Sequence, residues 1–256
     1  MAQRRKYVTW GGALLGGLLL AISAHAQVTQ EFHRTVSLAA NGRVSLDNVN
    51  GNVEITGWSR NEVQIDAVKQ ARDQQRLDEA QIEVESGSDY VKIHTQYPHD
   101  HNNNNPASVR YTLHVPQNAR LDQISLVNGS LTVQKVEGEL DAKLVNGKAH
   151  ISDLSGEASI SSVNGGIEAN YASLNNVREI KLKSVNGSIE LGLPGSPNAE
   201  VKASTVNGSI KSDFPLTVQG SFSGRNLSGT LGSGGTRIEM SNVNGSMHIG
   251  SGRGSL

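Results

Sequence analysis

The tripeptide Val-Asn-Gly occurs seven times in this chain of 256 residues, and this repetition constrains the fold more than any other feature. Its copies lie at residues 49–51, 127–129, 145–147, 163–165, 185–187, 206–208 and 243–245. They recur every 18 residues between the second and fourth copies, and the later intervals are 22, 21 and 37 residues. A short, nearly constant period is typical of a solenoid, in which each coil buries its apolar side only against neighbouring coils.

Apolar residues also alternate with polar ones on both sides of each copy. The position two residues after the glycine holds Val53, Leu131, Ala149, Ile167, Ile189, Ile210 and Met247. Apolar residues two apart indicate a strand, because successive side chains of a strand point to opposite faces. Each copy therefore predicts a strand, a corner and then a second strand. We expect an all-β, single-stranded β-solenoid with coils of about 18–22 residues, right-handed by analogy with other β-helices.

The corner itself is predicted at Asn-Gly, because both residues tolerate positive φ angles. On this interpretation Gly147→Val destabilises the fold by forcing valine into a positive φ. The repeated asparagine has two interpretations. It could form a ladder of stacked amides at Asn128, Asn146 and Asn164, or it could present a row of amides to a ligand. The ladder is favoured because the asparagine always accompanies the same valine and glycine.

The first 26 residues have the features of an export signal. Arg4, Arg5 and Lys6 precede an apolar run, and Ala24-His25-Ala26 is a cleavage site of the A-x-A type. We expect the Sec route, with twin-arginine export the less favoured alternative, and a location in the periplasm, at the cell surface or outside the cell. The chain contains no cysteine, so neither a disulfide nor a lipid anchor on cysteine is available.

Two further segments follow the signal. Residues 27–120 are strand-rich and less regular, and we expect them to start and cap the solenoid. They include one short helix predicted at Asp73 to Ala80 and a hairpin turn predicted at residues 86–89. Residues 121–256 are predicted to form the regular solenoid with Val-Asn-Gly corners.

A polar segment at residues 98–106 holds the strongest metal-like pattern. His99 and His101 lie within it, and His94 is nearby, but His-x-His alone is a weak signal for a metal site. The alternative interpretation is a long surface loop, since the segment contains four asparagines and two prolines. The remaining histidines, His33, His114, His150 and His248, are expected on strand faces. No cofactor is predicted.

Catalytic motifs of the common hydrolase and nucleotide-binding classes are absent from the sequence. Carboxylates that could serve a polysaccharide-acting solenoid enzyme are Glu137, Glu139, Asp141, Asp153, Glu157, Glu168 and Glu190. Lysines are interspersed among them, which favours an ordinary solvated exterior. We therefore expect a protein that is not an enzyme.

Charge argues against several classes of partner. Without Arg4, Arg5 and Lys6 the chain would carry 20 basic and 24 acidic residues, a net charge of about −4. The sequence shows no basic run that would serve nucleic acid or an anionic membrane. Beyond the signal no apolar segment is long enough to span a membrane.

With these motifs in hand, a family resemblance is apparent. The segment from Val44 to Trp58, the strand that closes in His114-Val115-Pro116 and the serial Asn-Gly corners together resemble the DUF4097 family, provisionally named as bacterial adhesins. The resemblance implies a β-strand repeat fold and an envelope location, and it implies no active-site residues.

The function expected on these grounds is non-enzymatic binding or scaffolding in the cell envelope, with a protein or a glycan as partner. Two alternatives stay open: a polysaccharide-acting β-helix enzyme, and an accessory role in envelope-stress signalling. Exposed end coils could also stack two molecules end to end.

Overall fold

A computed structural model describes residues 27–97, 106–220 and 225–252, without the side chains of residues 217–220. The predicted export signal lies outside the described residues. So do His99 and His101, together with most of the asparagine-rich segment.

The described chain is built almost wholly of strands. The first seven strands and the helix are β1 (Val28–Ser37), β2 (Arg43–Asn50), β3 (Val53–Trp58), β4 (Glu62–Ala71), α1 (Gln74–Glu79), β5 (Gln81–Ser86), β6 (Tyr90–Gln96) and β7 (Ser108–Pro116). The central strands are β8 (Arg120–Asn128), β9 (Leu131–Gln134), β10 (Leu140–Asn146), β11 (Ala149–Leu154), β12 (Ala158–Asn164), β13 (Ile167–Tyr171), β14 (Glu179–Asn186) and β15 (Ile189–Leu193). The last strands are β16 (Ala199–Asn207), β17 (Ile210–Ser212), β18 (Thr217–Gly220), β19 (Arg225–Leu231), β20 (Thr236–Asn244) and β21 (Met247–Ser251).

These strands form two sheets that face each other. Sheet A has the order β1-β4-β7-β3-β9-β11-β13-β15-β21-β17, and sheet B has the order β18-β19-β16-β20-β14-β12-β10-β8-β2-β6-β5. Each Val-Asn-Gly copy ends a strand of sheet B and leads into a strand of sheet A, and we call this turn the Asn-Gly corner. The opposite turn, from sheet A back to sheet B, is the return corner. The predicted β-solenoid is confirmed.

The core lies between the two sheets. Inward residues such as Leu131, Ile160 and Leu182 are at most 1% exposed, and their two columns are apolar in coil after coil. Parallel strands hold identical register, as Ile160 lies opposite Leu182 and Asn164 opposite Asn186. Stacked Val, Ile, Leu and Ala rows therefore give the dry interior that the alternation predicts.

The order of the coils in the stack differs from their order in the chain. β20 pairs with β14 on one side and with β16 on the other, so the last coil is inserted between two earlier ones. The other end mirrors this arrangement, because β2 lies between β6 and β8. The 37-residue interval before Val243 reflects this insertion, since the chain must first form the antiparallel pair of β18 and β19 and then return.

Antiparallel strands flank both sheets at one end of the stack and sheet B alone at the other end. At one end β1 pairs with β4, β5 pairs with β6, and α1 packs against β1 and β4 with Leu77 buried. Asp73 caps the helix through the amide of Arg76 at 2.9 Å, as expected for an N-cap aspartate. Lys69 points inward and donates to the carbonyl of Ala80 at 2.8 Å, and its burial lowers its pKa. The predicted helix and the predicted hairpin are both confirmed.

Candidate functional site

The asparagines of the Asn-Gly corner form one continuous ladder. Each side-chain amide donates to the amide oxygen of the next asparagine at 2.8–3.0 Å, in the order Asn207, Asn244, Asn186, Asn164, Asn146, Asn128 and Asn50. Backbone bonds run parallel to it, for example from the Gly147 amide to the Asn164 carbonyl at 3.1 Å. The structural interpretation of the repeated asparagine is thus confirmed.

The role of the corner glycines differs from our prediction. None of the seven corner asparagines has a positive φ. Among the seven corner glycines only Gly51, Gly187 and Gly245 do, at 120°, 158° and 148°. A Cβ on Gly147 would instead lie 1.9 Å from the carbonyl oxygen of Gly129 in the neighbouring coil. Glycine is required because the next coil lies too close for a side chain, so the positive-φ explanation was wrong for Gly147.

The valine of each corner points outward and forms an apolar row. In five consecutive coils these valines are 39–54% exposed: Val145, Val163, Val185, Val243 and Val206. Val127 and Val49 continue the row as half-buried residues. Single exposed valines are ordinary, but an unbroken row of them on a polar exterior is not.

A polar groove follows the return corner. Two adjoining cavities of about 440 and 860 Å³ share Glu157, Asn175, Asn176 and Arg178 in their walls. Arginines in the groove face carboxylates, since Arg120 lies 3.1 Å from Glu139 and Arg178 lies 2.5 Å from Glu157. The Glu157 carboxylate raises the pKa of Arg178. Five glutamates and three arginines line this groove, so the ion pairs offset only part of its negative charge.

The outer face of sheet A carries a row of aligned polar residues, one from each strand, which we call the sheet A row. Strand register places them in the order His33, Asp66, Thr112, Glu54, Thr132, His150, Glu168, Glu190, His248 and Lys211. None of the ten is buried. Neighbouring strands are about 4.8 Å apart, so the row presents one polar group at each such interval.

Histidines of this row pair with carboxylates. The rings of His33, His150 and His248 lie 2.8, 3.1 and 3.0 Å from Asp66, Glu168 and Asp213 respectively. The hydrogen bond to Asp66, and then that to Glu31, raises the pKa of His33. In return the hydrogen bond from His33 lowers the pKa of Asp66. The histidines do lie on strand faces, as expected, and the stack collects three of them in one row.

Carboxylates selected from the sequence separate into distinct places. Glu137, Glu139 and Glu157 line the return-corner groove. Glu168 and Glu190 are neighbours on adjacent strands of the sheet A row. Parallel pairing of β13 with β15 places these two residues side by side. Both lie at the same distance after a Val-Asn-Gly copy, and this equal spacing is the sequence signal for their proximity.

The metal candidates do not assemble in the described part of the chain. His94 lies 3.4 Å from Asp47 on the outer face of sheet B, and 41% of its side chain is exposed. Among the described residues no group of three or more His, Asp or Glu side chains could hold a metal ion. A site that includes His99 and His101 falls outside those residues and stays a prediction.

One aromatic cluster was missed by sequence reasoning. Trp58 stacks on His114 with ring centroids 5.1 Å apart, and the guanidinium of Arg60 lies 4.8 Å from the Trp58 ring. His114 is 56 residues from Trp58 in the chain, and only the pairing of β3 with β7 joins them. No local pattern signals such a contact.

A family model for Toastrack DUF4097 matches residues 44–250, which includes every corner of the stack. The chain belongs to the DUF4097 Toastrack family. The matched range contains both inserted coils as well as the regular ones, and of the described strands only β1 lies wholly outside it.

Solved structures also match this DUF4097 protein. A protein from Clostridium sporogenes ATCC 15579, provisionally named as a cell adhesion protein, is 13% identical with a TM-score of 0.50, covering 88% of this chain and 100% of its own. A provisionally named adhesin from Bacteroides fragilis NCTC 9343 is 14% identical with a TM-score of 0.35, covering 87% and 97%. Likeness at this level of identity concerns the fold.

Two searches gave negative results for this DUF4097 protein. No curated protein matches the chain. Within the residues that the structure describes, no helix is both long and apolar enough to cross a membrane.

Proposed function

We propose that this DUF4097 protein is exported to the cell envelope and binds an extended envelope component there without chemical turnover. The sheet A row carries this proposal, since it presents ten polar residues on ten successive strands. A row about 43 Å long, with one group about every 4.8 Å, suits a partner that is itself linear, such as a glycan strand or an extended peptide.

The chemistry of the row supports binding over catalysis. Its carboxylates lie on an open sheet face, and those at Asp66 and Glu168 already accept hydrogen bonds from histidines. Hydrolytic sites need a proton donor and a base that converge on one bond, usually inside a cleft that excludes water. The provisional adhesin names of the structural relatives agree with a binding role.

The test uses envelope material separated into glycan and protein fractions and immobilised. We expect the protein to be retained by one of these fractions, with no release of reducing ends. Combined substitution of Glu54, Glu168 and Glu190 by Gln should weaken retention several-fold, because it removes charge from the sheet A row.

A matched control removes three carboxylates from the outer face of sheet B, through Asp122→Asn, Asp141→Asn and Glu239→Gln. Its retention should equal that of the unaltered protein. Release of new reducing ends would establish the polysaccharide-acting alternative in place of binding. Absence of retention on both fractions would contradict the proposal.

A further inference from the structure

The row of corner valines is an interaction surface of its own, separate from the sheet A row. We call it the valine ridge, and in stack order it consists of Val49, Val127, Val145, Val163, Val185, Val243 and Val206. Seven coils at about 4.8 Å give a ridge about 29 Å long and one side chain wide. Only the five valines from Val145 to Val206 are strongly exposed.

Stacking alone does not require valine at this position. A β-branched side chain suits an exposed strand position, but threonine has the same shape and would be wetted more easily. Apart from Tyr90 on β6, the other outward positions of sheet B are mostly polar, for example Ser159, Lys181 and Glu239 on aligned strands. The ridge is therefore an apolar line in an otherwise polar surface, which is typical of an interaction site.

Residues on either side of the ridge are positively charged or neutral in the six coils from Val127 to Val206, whereas Asp47 stands beside Val49 at the end of the ridge. Two positions before the valines stand Ser125, Lys143, Ser161, Lys183, Ser241 and Ser204. Three positions after the valines, beyond the corner, stand Ser130, Lys148, Gly166, Ser188, Ser246 and Ser209. In these six coils the two flanking rows hold three lysines, all exposed, and no carboxylate. The charge beside the ridge in these coils is thus positive, whereas the net charge of the whole chain is negative.

We propose that the valine ridge docks on the surface of an anionic lipid bilayer. The valines would enter the boundary between headgroups and acyl chains, and Lys143, Lys148 and Lys183 would contact lipid phosphates. Juxtaposed apolar and basic residues are the combination that binds anionic membrane surfaces. Small serines between the lysines leave the valines accessible to a flat surface.

A second copy of the chain fits the ridge less well. Two ridges brought face to face would place flanking lysines near each other, which like-charge repulsion opposes. A strip one side chain wide also buries far less than the roughly 800 Å² per partner of a stable protein interface. The shape and the charge therefore favour a continuous anionic surface.

Sequence alone shows no basic run here, because the three lysines are separated by up to 40 residues in the chain. They come together only through the stack, since Lys143 and Lys183 are separated by a single strand, β12. The linear sequence therefore contains no basic run for a membrane, whereas the folded surface brings these lysines close to one another.

The test is flotation of the full chain with vesicles of phosphatidylcholine alone or with about one-third phosphatidylglycerol. We expect flotation with the anionic vesicles, and a decrease as salt is raised because charge contributes. Joint substitution of Val145, Val163, Val185 and Val243 by Thr keeps the β-branched shape and should reduce flotation about tenfold. Circular dichroism would verify that this variant folds.

A charge variant keeps the test valid even if the valine variant fails to fold. Joint substitution of Lys143, Lys148 and Lys183 by Gln should also reduce flotation, while substitution of Lys92, Lys135 and Lys202 by Gln, outside the ridge, its flanking rows and the sheet A row, should not. All variants share the same N-terminal segment, so its own affinity for vesicles cancels in the comparison.

Equal flotation of the two lysine variants would overturn the proposal, as would absence of flotation. A change of oligomeric state in the valine variant would instead assign the ridge to a second copy.

Discussion

Gly147 lies directly against the carbonyl oxygen of Gly129, so that an added Cβ would come within 1.9 Å of that oxygen. The same relationship repeats from coil to coil, with 1.8 Å between a Cβ on Gly165 and the Gly147 oxygen. Real Cβ atoms do not approach an oxygen so closely, so a side chain here would push two coils apart. The corner glycine therefore sets the close approach of neighbouring coils.

Gly147→Ala should destabilise the protein by about 2 kcal/mol or more, because the stack on both sides of coil β10/β11 resists separation. Gly195→Ala is the matched control, since a Cβ there meets nothing within 4 Å. It should change stability by less than about 0.5 kcal/mol. Urea unfolding followed by circular dichroism measures both, and equal stability of the two variants would contradict the stacking requirement.

Position in the asparagine ladder should determine the cost of losing one amide. Asn146 donates to Asn128 at 2.8 Å and accepts from Asn164 at 3.0 Å, whereas the end member Asn207 donates only to Asn244 at 3.0 Å. We expect Asn146→Ala to cost about 1 kcal/mol and Asn207→Ala about half of that, since these bonds are exposed to water. Thermal unfolding of the two variants gives the comparison. A larger loss at Asn207 would speak against a cooperative ladder.

Disulfide trapping can test the inserted coil. Lys183 and Ser241 face outward on adjacent strands, and Ser204 lies one strand further on. Adjacent parallel strands bring Cα atoms about 4.8 Å apart, within the range of a disulfide, whereas positions two strands apart are about twice as far. The chain has no cysteine of its own, so the trapped pairs are unambiguous.

Paired cysteines at positions 183 and 241 should therefore oxidise to a compact form on a non-reducing gel. Cysteines at positions 183 and 204 should remain free under the same conditions. Stacking in chain order would give the opposite result, because the coil of Ser204 would then lie directly beside that of Lys183.

The pair of His33 and Asp66 joins strands β1 and β4 in a pH-dependent manner. Because the pKa of His33 is raised above 6.5, its contribution to stability is full below that pH and is lost as the pH rises through its folded pKa. Because the pKa of Asp66 is lowered from 3.8, its contribution is present above that pH and is lost as the pH falls through its folded pKa. The pair thus supports β1 between these two limits.

NMR titration of the His33 ring should show a midpoint above 6.5 in the unaltered protein. In Asp66→Asn the midpoint should move down towards 6.5, because the largest cause of the shift is removed. Glu31→Gln serves as the matched comparison and should move it less. An unchanged midpoint in Asp66→Asn would show that the pair does not form in solution.

Much of the local fold could be predicted from the residues. The helix capped by Asp73, the hairpin at residues 86–89 and the strands flanking each corner all follow from local propensity and from period-two alternation. The candidate surfaces were less accessible, because an outward residue matters only through its neighbours on other coils. His150 and Glu168 belong to one row at a constant offset from Val-Asn-Gly, whereas His33 and His248 join it only through pairing that no period reveals.

The sequence by itself determined the coil, the position of its corner and which side chains of each strand face the core, because alternation and the Val-Asn-Gly period are local properties of the chain. Tertiary structure alone decided the order of the coils. Every coil ends in the same strand edge with the same hydrogen-bonding groups, so the edge of β14 accepts β20 as readily as β16. Which coil docks there depends on the path of the whole chain. The order of the coils in turn decides which residues are neighbours in the asparagine ladder, the sheet A row and the valine ridge.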